Sequence, residues 1–154
     1  MIYKIIALIA ALTYGVVVSQ PFMYMLAFKT MQLNLGAESY LEVRKWTDKA
    51  MRANFKWILY IAVLTNIALL VHHWIDSALI LFTFAAFSML ALVGEILLAV
   101  RGNVPINDVI NTWSPGEIPA DWAEYRDKWF RVFSYRTWLV VAGFTSLLIS
   151  IILK

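Results

Sequence analysis

The side chains best placed to do chemistry are charged groups set into apolar helical stripes. In the segment AESYLEVRKWTDKAMRANFKW, Leu41, Arg44, Asp48, Met51 and Phe55 recur at alternating steps of three and four, which puts them on one helix face. In DWAEYRDKWFRVFSYR, Trp122, Arg126, Trp129, Phe133 and Arg136 do the same. Glu95 is the only acidic residue inside a charge-poor run, Ser77 to Val100. An arginine on an aromatic stripe beside a membrane is costly unless a carboxylate, an anionic ligand or a lipid headgroup answers it. Such a set could stabilise a developing oxyanion with Arg126 and Arg136, take up a proton on Glu95 or Asp48, and hold a flat apolar molecule against Trp122, Trp129 and Phe133.

The same residues admit a purely structural reading. Glu95 could close an ion pair with Arg136, Arg126 or Arg52, and the whole set could be a salt-bridge network. Gln20 on the first apolar run falls at a depth similar to Glu95, and Arg44 belongs with it as a ligand-binding candidate. Asn66 lies deeper and reads as interhelical glue.

Other chemistries are disfavoured. His72 and His73 are adjacent and no third histidine exists, so a bis-histidine haem spanning two helices of one chain is excluded. Outer-surface or loop histidines are expected, with a single axial ligand or an intersubunit site as the alternative. Arginines beside the carboxylates oppose a cation, so no metal site is expected, and no cofactor is evident. With no cysteine there is no disulfide or thiolate site. No P-loop, dinucleotide fingerprint, zincin helix or nucleophile elbow occurs.

These side chains need helices in a membrane to position them. A chain of 154 residues with 62% hydrophobic and 15% charged residues is not an ordinary soluble domain. Its apolar runs predict four spans, at about 5–28, 56–75, 77–100 and 136–153, since a helix needs roughly 20 apolar residues to cross a bilayer core. Lys4, an apolar run and Val17-Val18-Ser19 imitate a signal peptide, but a retained helix kinked by Pro21 is expected. Of the 13 Lys and Arg residues, all but Lys4 and Lys154 fall in the connectors 29–56 and 101–136. That bias places both connectors in the cytoplasm and both termini outside a plasma membrane. The net charge of +3 is then a topology signal and an attraction to membrane lipid, with no nucleic-acid partner expected.

The expected fold is all-α, one domain over 1–154: an antiparallel four-helix bundle with two helices extended on the cytoplasmic side. Asn34-Leu35-Gly36 ends the first helix, and Asn103-Val-Pro-Ile-Asn and Ser114-Pro-Gly-Glu-Ile-Pro read as turns. Pro119 suits a first helical turn, with Asp121 and Glu124 beside it. His72 to Asp76 forms a tight outer hairpin. Tyr40-x-Glu42-x-Arg44 and Trp122-x-Glu124-x-Arg126 echo one another ahead of spans two and four, hinting at two related hairpins. Ala7, Ala11, Gly15 and Ser19, and again Ala142, Ser146 and Ser150, form small-residue ridges for helix contact. A homo-oligomer stays open.

Asn103-Val-Pro-Ile-Asn107, then Trp122, Arg126, Trp129 and Arg136 ahead of the last span, resembles the anthrone oxygenase-like family of small four-helix membrane proteins. Tyr40-Leu-Glu-Val-Arg44 with Asp48 is similar to that family's first cytoplasmic segment. The resemblance covers nearly the whole chain and implies a four-helix membrane bundle. It also implies oxidation of anthrones to anthraquinones with molecular oxygen, as in fungal polyketide-pathway members, although most bacterial members have no assigned activity. By matching positions it points to Asn107, Trp122, Arg126, Trp129 and Arg136. The expectation is therefore a membrane oxidoreductase-like protein that binds a flat apolar, quinone- or polyphenol-like molecule at the cytoplasmic helix ends. The alternative is a non-catalytic module that binds lipid or a partner subunit.

Overall fold

Long runs of Leu, Ile, Ala and aromatic residues make four rods; two of the breaks between them fall at Asn34–Gly36 and at the Pro- and Gly-containing segment 113–121, and the third turns at Ser77, whose φ is +54°. The computed structural model describes residues 1–154. It contains α1 (Ile2–Met23), α2 (Lys29–Leu33), α3 (Ala37–Ile75), α4 (Leu79–Leu98), α5 (Val104–Thr112) and α6 (Trp122–Ile152). Short π-helical turns, Tyr24–Phe28 and Ala99–Asn103, join α1 to α2 and α4 to α5. Four rods result, each long and apolar enough to cross a bilayer: Ile2–Leu33, Ala37–Ile75, Leu79–Thr112 and Trp122–Ile152. They pack in a ring, α1 on α3, α3 on α4, α4 on α6 and α6 back on α1. This is the expected all-helical four-helix bundle. The end carrying α2, α5 and the two long connections is called here the connector end. The Ser77 turn and both termini mark the hairpin end.

Every rod outruns its apolar segment at the connector end. At 39 residues α3 is about 58 Å long, against a hydrocarbon core of about 30 Å. Three rods, rather than the two expected, project well beyond the core, because Asn103–Asn107 is not a turn. Asn103 closes a π-helical turn and Val104–Thr112 continues as helix, with Pro105 in its first positions where a missing N–H costs nothing. Gly36 does not end the first rod. Its extended backbone (φ −69°, ψ 166°) starts α3, its carbonyl accepting from Tyr40 N–H at 2.9 Å. Pro119 likewise lies ahead of α6, in a turn closed by Trp122 N–H on its carbonyl at 3.1 Å.

Buried side chains sort into three clusters. Ala7, Ala10, Tyr14, Val17, Ala62, Leu69, Leu92, Val140 and Leu147 fill the spanning core. The packed face of α1 is therefore Ala7–Ala10–Tyr14–Val17, and not the ridge ending at Ser19, which is exposed. On α6 the small buried residues are Gly143, Ser146 and Ser150, while Ala142 is exposed. A Cβ on Gly143 would stand 2.6 Å from Ala91 Cβ and would collide with the Tyr14 hydroxyl, so only glycine lets α1, α4 and α6 meet there. Two further clusters lie toward the connector end: Tyr24, Trp129, Phe130 and Phe133, and beyond them Tyr40, Leu41, Ile110 and Trp113.

Candidate functional site

Between the spanning core and these aromatic clusters lies a cavity of about 220 Å³. Its position follows from the register of the four rods. A helix turns about 100° per residue, so residues eight apart miss alignment by about 80°, and one extra residue in a π turn absorbs most of that. The π turn Ala99–Asn103 thus brings Asn103, and with it Asn107, onto the buried face of Glu95; all three are at most 6% exposed. After Pro21, whose ring cannot donate an N–H and crowds the preceding turn, the π turn Tyr24–Phe28 brings Gln32 onto the buried face of Tyr24. Gln32 Nε2 then donates to the Tyr24 hydroxyl at 2.8 Å.

Three charged nodes meet at the cavity. At the first, Arg136 donates to Glu95 Oε1 from Nε at 3.1 Å and again from Nη2, while its Nη1 reaches Asn103 Oδ1 at 2.9 Å. Asn103 in turn donates to the Trp129 carbonyl at 2.9 Å. Both Arg136 bonds fall on one carboxylate oxygen, which leaves Glu95 Oε2 buried without a partner. At the second node, Asp48 accepts from Asn107 Nδ2 at 2.7 Å, Arg52 Nε at 2.8 Å and Asn111 Nδ2 at 2.9 Å. Both of its oxygens are engaged.

Arg44 is the third node and differs from the others. It is 3% exposed, its guanidinium lies 4.3 Å from the Trp129 ring centroid, and Nη1 donates to the Tyr24 hydroxyl at 3.2 Å. No carboxylate pairs with it, because the two acidic groups on the cavity are taken by Arg52 and Arg136. Its Nε is buried and unpartnered. A cation–π contact is worth up to about 2 kcal/mol, whereas burying an ion costs several. The site as it stands does not compensate this charge. Trp129 Nε1 and Asn107 Oδ1 are also buried and unpartnered, so the residues lining the cavity carry two donors and two acceptors without partners.

The aromatic wall is Trp129 stacked on Phe133, centroids 4.5 Å apart at 16°. Tyr24 closes against both rings, at 5.4 Å and 4.9 Å. Gln20, Arg44, Asp48, Glu95, Asn107, Trp129, Phe133 and Arg136 all line the cavity. Trp122 and Arg126 do not. The stripe from Trp122 to Arg136 runs about 21 Å along the helix, too far for one small cavity. Its outer half packs elsewhere: Trp122 lies against Tyr40, centroids 5.5 Å apart, and Arg126 donates to the Leu33 carbonyl at 3.3 Å and to Asp127 at 3.0 Å. The first residues of the two echoed motifs thus touch each other, while their arginines part company. Burial pushes the Tyr40 hydroxyl up to about 12, so it stays protonated beneath Trp122.

Sequence reasoning missed Tyr24, Gln32 and Asn103: Tyr24 continues the Tyr14–Val17–Pro21 stripe at ordinary helical spacing, while the inward placement of Gln32 and Asn103 depends on the π turns. It also misplaced His73. That residue is fully buried in the last turn of α3, because Ala62, Asn66, Leu69 and His73 repeat at four, three and four along the core-facing stripe. This spacing was available in the sequence. His72 is half-buried, stacks on Tyr3 at 4.7 Å and lies 3.5 Å from Asp76. Asp76 also pairs with Lys154, whose ammonium holds the Asp76 carboxyl below the usual carboxylate range. Asn66 is interhelical glue, accepting from the Ser88 hydroxyl at 3.0 Å.

No family model, curated protein or solved structure matches this chain.

Proposed function

We propose that this multi-pass membrane protein binds a small, flat, oxygen-bearing aromatic molecule of quinone or polyphenol type in the connector-end cavity and acts on it as an oxidoreductase. The observation that carries the reading is Arg44: a buried guanidinium with no carboxylate, beside a cavity and over the Trp129 ring. A ligand oxyanion supplies the missing charge, and Trp129 and Phe133 supply the apolar walls. Glu95 Oε2 is the free oxygen that accepts the ligand's proton, with Arg136 holding the carboxylate in place through Oε1. Asp48 is a support instead, since its donors leave no oxygen to take a proton. Arg126 and Trp122 brace the outer layer.

The resemblance to the anthrone oxygenase-like family supports the same choice of substrate. Deprotonation of an anthrone at its methylene carbon gives an enolate-like oxyanion. Reaction with one molecule of oxygen then yields the anthraquinone and one water. The charge bias of the connectors supports placing this end in the cytoplasm of a plasma membrane.

The test is oxygen uptake by purified protein in nanodiscs supplied with an anthrone or a hydroquinone. Arg44→Gln and Glu95→Gln should each lower turnover by about 10²-fold or more, the size usual for a lost oxyanion donor or general base. Arg126→Gln should leave it nearly unchanged. Equal turnover in wild type and Arg44→Gln would sink the proposal.

A second reading rests on a groove of about 260 Å³ on the flank of the bundle, where Lys29 and Arg131 stand beside Phe130 and Ser134 without ion pairs of their own, the one carboxylate there, Asp127, being paired with Arg126. That arrangement suits an anionic lipid headgroup. Native mass spectrometry showing a retained phospholipid, lost in Arg131→Gln, together with no turnover, would favour a lipid-binding module.

A further inference from the structure

The cavity is polar on one side and open on another. Arg44, Asp48, Asn103, Asn107 and Arg136 form its polar side, toward the connector end. The other side is a slot between two apolar edges, Phe55 and Leu59 on α3 facing Ile96 on α4 and Val100 in the π turn. Phe55, Leu59 and Ile96 are half-buried and Val100 is 57% exposed, so this side of the cavity borders the molecular surface. Leu59, Ile96 and Val100 belong to the apolar runs that cross the membrane, and Phe55 stands at the border marked by Lys56. The slot therefore faces lipid. Lys56 and Arg52 flank it at the level where charged residues begin.

From this juxtaposition we infer that the site loads from the bilayer, and that its ligand is a membrane-dissolved amphiphile. The oxygenated ring lies in the cavity with its oxyanion toward Arg44, and an apolar tail leaves between Leu59 and Ile96 into the hydrocarbon. The inference rests on the proposed aromatic-binding role of the cavity and adds the substrate class. A cavity of about 220 Å³ is below the usual range for drug-sized ligands, roughly 300–1,000 Å³, so a ring with a long tail fits only if the tail stays outside. In lipid a tail gains nothing by entering a protein slot, because the bilayer is equally apolar. Tailed and untailed compounds should then bind equally well on a membrane-concentration basis, and the slot decides whether the tailed one is admitted.

The test uses tritiated 1,4-hydroquinone and its 2-decyl derivative, measured as retention by protein-loaded nanodiscs above that of empty ones. Wild type should bind the two within about threefold of each other. Leu59→Trp, Ile96→Trp and the rim variant Val100→Trp should each weaken the decyl compound by about tenfold or more, a factor corresponding to 1.4 kcal/mol. The rim variant Val100→Trp should leave plain hydroquinone within twofold of wild type, which also reports that it folds. Arg44→Gln should lose both compounds. Rejection of the decyl compound by wild type overturns membrane loading while leaving the binding function standing. So does a Val100→Trp variant that loses both compounds alike, or neither. No retention of either compound by wild type overturns the inference and the proposed function together.

Discussion

Arg44 and Arg126 look alike in the sequence, each on an aromatic stripe ahead of a span, yet their surroundings differ in kind. Arg126 has Asp127 and a helix-end carbonyl to bond, whereas Arg44 has one tyrosine hydroxyl and an indole face. A buried charge without a counter-charge lowers stability, so its removal should raise it. Arg44→Met, which keeps the apolar stem, should stabilise the purified protein by about 1–3 kcal/mol in a reversible denaturation series while abolishing ligand binding. A loss of stability would mean that Arg44 is a structural anchor. The chemistry-bearing positions Gln20, Arg44, Asp48, Glu95, Trp129, Phe133 and Arg136 were legible because helical periodicity reports a shared face, whatever that face meets. The pairing of Arg136 with Glu95 was one of three partners the sequence allowed. Choosing among them needed the interhelical geometry.

At the scale of elements, the four rods and the loop after Trp113 follow from apolar run length and from Pro, Gly and Asn clusters. The two π turns do not, since one extra residue in a helix leaves no mark that composition or spacing can read. Asn103-Val-Pro-Ile-Asn107 shows the consequence: its residue types suggest a turn, but Asn103 and Asn107 need continuous helix to reach Arg136 and Asp48. Helix contact depends on equally local features. Gly143 has Ala91 Cβ 2.6 Å from the position of a side chain's first carbon, and Gly102 has Val132 at the same 2.6 Å. Gly143→Ala should destabilise the bundle by about 1–3 kcal/mol through overpacking, despite the higher helix propensity of alanine. Thermal unfolding in one detergent checks this, and a rise in melting temperature would contradict the close approach of α1, α4 and α6.

For the whole molecule, polar and charged groups are distributed unevenly between its two ends. The connector end carries the cavity and most of the cationic residues, while the hairpin end carries the buried His73, the His72–Asp76–Lys154 cluster and little else that ionises. Zero cysteines make the topology directly measurable. A single cysteine at Ser114 should be blocked only by a thiol reagent that crosses the membrane, and one at Ser77 by an impermeant reagent added outside intact cells. The reverse pattern would invert the bundle and put the cavity on the outer face. What the protein does turns on whether the connector-end cavity holds an aromatic oxyanion against Arg44. The most direct measurement is the ionisation of 4-nitrophenol bound to the protein in nanodiscs, followed by the phenolate absorbance as pH is varied. A guanidinium within about 4–6 Å should lower the bound phenol's pKa by about 1–3 units, and Arg44→Gln should abolish that shift. A bound phenol that ionises at or above its free value, or identically in wild type and Arg44→Gln, would contradict an oxyanion site at Arg44.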